Sequence, residues 1–360
     1  MIPNPKTLQK SYLQEASTST SSTEAQTVID MDLCSHSTLH TEYCTPTLEE
    51  KYNHHSNSNS SNNSNASGSG NRKKYHEDPI ESKGSLRYNF IISYLLHKRE
   101  KCREFLAEFI GTFVLVLFIN GVSAEQTLGV GGTKSWLVTS FGNGAALLFG
   151  QCISGHISAS ISIYGAHLNP AVTLTFWTFS HFPTQKVLTY ISAQILGAFV
   201  GAGVLYGIIQ PAINEFDGGV RQILGPQGTA GIFATYPPLY VGIGPAMGSE
   251  IVGTMLLLLI IMSSGKKNNM PYQSMQGFVV SAGLFIITLS LTYTSGFSLN
   301  PARDIGPRLF TLAAGWGVEV FTASDYYALV PIFGPIVGGL FGGLLYKVFI
   351  DHQSIDDQVE

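Results

Sequence analysis

Six apolar stretches of membrane-crossing length punctuate the chain, at about residues 104–122, 136–157, 186–209, 246–264, 276–293 and 327–350. A helix needs ~20 residues to cross a hydrocarbon core. Each stretch therefore predicts a transmembrane helix, and the class is an all-α polytopic membrane protein. Two further apolar runs, about 171–179 and 302–313, are too brief to cross. Each opens on the same tripeptide, Asn169-Pro170-Ala171 and Asn300-Pro301-Ala302. Asn is a favoured helix cap, and Pro suits the first turn, where its missing N–H is not needed. The runs thus predict two re-entrant half-helices, which a bilayer tolerates only where they are buried in protein or line a wet cavity. Two such N-termini meeting at one point would aim two positive dipole ends at it, repelling cations and protons.

The pattern repeats. Ala107-Glu108-Phe109-Ile110-Gly111-Thr112 in the first span matches Ser249-Glu250-Ile251-Val252-Gly253-Thr254 in the fourth. Tyr190, Gly197 and Gly201 in the third parallel Tyr327, Gly334 and Gly338 in the sixth. With three spans per half, the second copy, about 246–350, enters from the side opposite to the first, about 104–209. Inverted repeats of this kind place their site near the midplane, between the halves. Glu108 and Glu250 are acids inside apolar spans. Such groups need interior partners, and the repeat predicts that each accepts backbone N–H bonds from the loop before its half-helix.

Charge adds the topology. Only 12% of the residues are charged. Lys98, Arg99, Lys101 and Arg103 cluster before the first span, and the positive-inside rule then keeps both termini cytoplasmic. Lys186, Lys266, Lys267 and Lys347 fall on the same side, whereas Lys134 and Arg221 fall outside. Residues 1–100 form a Ser- and Asn-rich N-terminal tail, too poor in apolar residues to fold alone through its first 85 or so; 101–350 is the membrane domain and 351–360 a short C-terminal tail. The four Cys show no metal-ligand or disulfide spacing. No nucleotide loop, nucleophile constellation or basic arm for nucleic acid is present. The reading is therefore neither an enzyme nor a cofactor protein.

On the paired Asn-Pro-Ala motifs the chain resembles the aquaporin superfamily, and its aquaglyceroporin branch in particular, over roughly residues 101–350. The resemblance implies a homotetramer of passive channels in the plasma membrane, with one pore per subunit for glycerol, other small neutral solutes and water. By offset from the two Asn, it implies a selectivity filter of Phe149, Thr288, Phe297 and Arg303. Arg offers five fixed donors and stays charged. Water-selective members carry His on the fifth span, and this chain has none between His181 and His352. Asp304, directly after Arg303, marks the glycerol branch and is spaced to pair with Arg308 at i, i+4. Residues 228–237 and 314–317 also resemble that branch. The second span departs from the pattern by its polar continuation through His156. Rival readings are a water-selective channel of the same fold, a broken-helix transporter, and a gated or non-conducting scaffold.

Overall fold

The computed structural model describes residues 79–129, 135–158, 166–266, 269–291 and 293–351. The expectations for residues 1–78, for Lys134 and Lys267, for the side chain of His156 and for the C-terminal tail beyond Asp351 lie outside the described residues. Among the described residues every regular element is helical. In chain order these are α1 (Pro79–Leu128), α2 (Trp136–Ser158), α3 (Pro170–Phe179), α4 (Thr184–Asp217), α5 (Ile243–Ser264), α6 (Gln276–Leu291), α7 (Pro301–Thr311), α8 (Glu319–Tyr326) and α9 (Val330–Leu345).

Among the described residues, five stretches are long and apolar enough to cross a membrane: Cys102–Leu128, Thr184–Asp217, Ile243–Ser264, Tyr272–Leu291 and Glu319–Ile350. The second expected span, α2, is a helix of 23 residues, also long enough to cross. Thr139, Ser140, Asn143, Gln151 and Ser154 dilute its apolar character. The last span is not one straight helix. Ala323, Ser324 and Asp325 leave helical geometry inside α8, and the chain turns again at Tyr327–Leu329 before α9. The half-helices are short, as their lengths require: α3 has 10 residues and α7 has 11.

Glycine stripes set how closely the spans approach. A Cβ on Gly201 of α4 would lie 2.8 Å from the Phe113 carbonyl oxygen of α1. In the second repeat, a Cβ on Gly342 of α9 would lie 2.6 Å from the Met255 carbonyl oxygen of α5. The same helix pair is thus sealed backbone to backbone in both halves, as small residues permit in a bilayer. The half-helices cross over. Gly339 and Gly343 of α9 face Ala171, Thr175 and Phe179 of α3, while Gly306 of α7 fits against Ile195 and Ala198 of α4. Each half-helix therefore rests on the last span of the other repeat.

Candidate functional site

The two Asn-Pro-Ala motifs meet. Asn169 Oδ1 accepts from the Ala171 N–H at 2.9 Å, and Asn300 Oδ1 from the Ala302 N–H at 3.0 Å, so each Asn caps its own half-helix. Each side-chain amide also reaches across the repeat. Asn169 Nδ2 donates to the Leu299 carbonyl at 2.8 Å, and Asn300 Nδ2 to the Leu168 carbonyl at 2.7 Å. An amide nitrogen carries two hydrogens. One is spent on this cross-link, leaving the second for a passing solute.

The residues before each Asn are held in an unusual backbone state. Leu168 has φ +53° and Leu299 has φ +50°, the left-handed region that side chains other than Gly rarely adopt. The buried acids hold them there. Glu108 accepts from the N–H groups of His167 and Leu168, each at 2.8 Å. Glu250 accepts from Ser298 at 2.9 Å and from Leu299 at 2.8 Å. Gln194 Nε2 donates a further bond to Glu108 at 2.8 Å. Both carboxylates are fully buried. Two N–H bonds into each charge offset its desolvation and fix the loop that presents Asn.

Of three cavities, the first shares wall residues with each of the other two. The first, about 50 Å³, is lined by the polar residues Asn169, Asn300, His167, Ser298 and Arg303 and, among the apolar residues, by Leu115, Ile119, Leu147, Leu257, Val280 and Leu284. The second is a wider vestibule of about 460 Å³ beneath the loop between α4 and α5, and it too is lined by Arg303. A third, at the opposite end, shares Gln151, Ala166 and Gln276 with the first. Arg303 thus stands where the vestibule narrows into the conduit. It is 6% exposed, and its Nη1 donates to the Phe233 carbonyl at 3.0 Å, which aims the guanidinium.

A buried ion pair supports Arg303 from behind. Arg308 Nε donates to Asp304 Oδ1 at 2.7 Å, Nη1 to the Val320 carbonyl at 2.6 Å and Nη2 to the Thr235 carbonyl at 2.7 Å. Asp304 Oδ2 also accepts from the N–H and hydroxyl of Thr235, and the guanidinium lies 4.6 Å from the centre of the Tyr236 ring. Asp304 therefore ties α7 to the vestibule loop and does not line any of the three cavities.

Phe149 needs correction as a filter residue. It is 53% exposed and stacks edge-on against Phe118, itself 46% exposed. Leu147, two residues earlier, lines the conduit, and two helical residues turn a side chain by about 200°. Phe149 thus points away from the pore. Thr288 extends the conduit-lining series Gln276, Val280 and Leu284 by one more turn, is 1% exposed, and donates to the Leu284 carbonyl at 2.6 Å. Phe297, with φ +54°, lies between Gly296 of the vestibule and Ser298 of the conduit. Its ring edge would be 3.1 Å from a Cβ at Gly253. Gln151 and Gln276, missed as site residues, hold the far mouth. The signal for Gln151 was present in the polar positions of the second span, whereas Gln276 stands at the start of the fifth.

Comparison with known proteins agrees with this geometry. The major intrinsic protein family matches residues 95–346. Aquaporin-2 of Rhizopus delemar is 55% identical over 277 residues, which cover 77% of this chain and 86% of that protein. Aquaglyceroporin-2 of Rhizophagus irregularis is 46% identical over 245 residues, 68% of this chain and 76% of that protein. The crystal structure of the Plasmodium falciparum aquaglyceroporin superposes with a TM-score of 0.60 at 31% identity, over 69% of this chain and 96% of that one. The chain belongs to the major intrinsic protein family, the aquaporin superfamily with its aquaglyceroporin branch, and is a membrane channel for water and small solutes, not an enzyme.

Proposed function

We propose that the channel passes glycerol and similar small neutral solutes as well as water, down their gradients, and excludes ions and protons. The observation that carries this reading is the mixed wall of the conduit. Asn169, Asn300 and Arg303 present donors to it, and Leu115, Ile119, Val280 and Leu284 present hydrocarbon. A polyol has hydroxyls along one edge and C–H groups along the other, and it sheds its hydration most cheaply in a passage that matches both. Thr288 stands where a water-selective filter would place a larger His. The fixed charge of Arg303 and the paired half-helix N-termini oppose cations.

Assembly as a homotetramer in the plasma membrane, with the vestibule outside and both termini in the cytoplasm, completes the proposal. The test is light scattering from proteoliposomes challenged with glycerol and, separately, with an impermeant osmolyte. Rapid shrinkage followed by re-swelling in glycerol is the expected result. Shrinkage without glycerol entry would replace this reading with a water-selective channel, a possibility favoured by the aquaporin name of the 55% identical relative.

A further inference from the structure

On α2, Trp136 and Thr139 line the vestibule, while Leu147 and Gln151 line the conduit. Thr139, Leu147 and Gln151 are spaced so that one position, Asn143, completes an unbroken i+4 series on the same face. By helical rise Asn143 sits ~6 Å from both Thr139 and Leu147 along the axis. Asn143 thus falls between the vestibule residue Thr139 and the conduit residue Leu147, and Arg303 lines both cavities.

Its neighbours fix its direction independently. A Cβ on Gly142 would lie 2.6 Å from Val122 of α1, and a Cβ on Gly144 would lie 2.8 Å from the Ser281 carbonyl oxygen and 2.9 Å from Phe285 Cβ of α6. One glycine is therefore pressed against α1 and the other against α6, which leaves Asn143 between those two helices. Its Oδ1 is buried, with no hydrogen-bond partner among the described residues; so is Ser140 Oγ, one turn earlier. A buried acceptor left unsatisfied costs stability unless a guest supplies the donor.

We infer that Asn143 is the α2 member of the selectivity constriction, and that its side-chain carbonyl accepts a hydrogen bond from an O–H or N–H of the passing solute, a small polyol or amide. Arg303 donates and Asn143 accepts, so a solute carrying both kinds of group is matched on two sides. This rests on the proposed passage of small neutral solutes. The position of Asn143 on the wall is testable without it.

Two measurements decide the matter. In proteoliposomes Asn143→Leu keeps the side-chain size and removes the acceptor. The ratio of glycerol or urea permeability to water permeability is expected to fall by roughly three- to tenfold, the worth of one net hydrogen bond. An unchanged ratio would overturn the assignment. Separately, Asn143→Cys in a background with Cys34, Cys44, Cys102 and Cys152 all replaced by Ser is expected to be labelled by a small anionic methanethiosulfonate, read by mass, whereas Phe149→Cys in the same background stays unlabelled. Absence of labelling at position 143 in a protein that still forms the folded channel would overturn it too. If wild type passes water but not glycerol while position 143 is labelled, the wall position stands and the solute reading fails.

Discussion

At the scale of single residues, the site depends on holding two leucines in a backbone state they do not favour. Leu168 and Leu299 keep φ near +50° because Glu108 and Glu250 capture their N–H groups. The carboxylates do not face the solute; they determine where Asn169 and Asn300 point. Arg303 has the opposite role, since its group faces both cavities. Arg303→Ala is expected to admit cations while still passing water, checked by ion-flux dye release beside water flux. Unchanged ion exclusion would remove Arg303 from the filter. The motifs around Asn169, Asn300 and both glutamates were legible in sequence because hydrogen-bonding chemistry restricts them to a few residue types at fixed spacing. Phe149 was misplaced for a physical reason. Its position was counted back from Asn169 along the chain, and helical phase, not distance along the chain, decides which way a side chain points. The polar series Thr139, Asn143 and Gln151 on α2 carried that phase.

At the scale of elements, α7 is anchored by charge as much as by packing. Arg308 is 1% exposed and Asp304 fully buried. Removing one partner of such a pair leaves the other as an uncompensated buried charge, at a cost of ~3–5 kcal/mol. Arg308→Met should therefore lower the unfolding temperature in detergent more than any single substitution at an exposed apolar position of the same helix, such as Leu309→Ala. A second anchor lies beyond α9. Asp351 pairs with Lys266 after α5 and with Lys347. Burial alone would raise the Asp351 carboxyl, but the two lysines hold it below its usual range. A lowered folded-state value means the anchor contributes fully above the unfolded carboxylate range and is lost as pH falls through the folded value. The stability difference between wild type and Asp351→Asn should be present at neutral pH and vanish on acidification below that range. A difference independent of pH would show that the pair contributes nothing. This anchor is not legible along the chain, because Lys266 and Asp351 meet only when the helices are assembled. The ends of α1, α4 and α8 were equally hard to place, since helices run past the hydrocarbon without a change of composition at its edge.

At the scale of the whole molecule, the chain divides into Met1–Tyr75 and His76–Glu360, and every feature of the conduit belongs to the second unit. Deleting residues 1–75 is expected to leave water and glycerol flux per folded channel unchanged in proteoliposomes. A channel that no longer inserts or conducts would give those residues a structural part in it. The inverted repeat was legible as a repeat, from the matched Glu and Gly positions, but not as an interlocking one. Nothing in the spacing of glycines says which partner each stripe meets. The crossing of the half-helices has a consequence for how the molecule is made. While a ribosome is still producing α5, α3 has no α9 to rest on and Asn169 has no Leu299 to reach. The first half must wait with its seat unfilled, and its half-helix is secured only when the final helix of the chain arrives. Chains cut short before α9 would therefore lose the first pore motif as surely as the second, and two half-chains made together should find each other where either alone would be cleared.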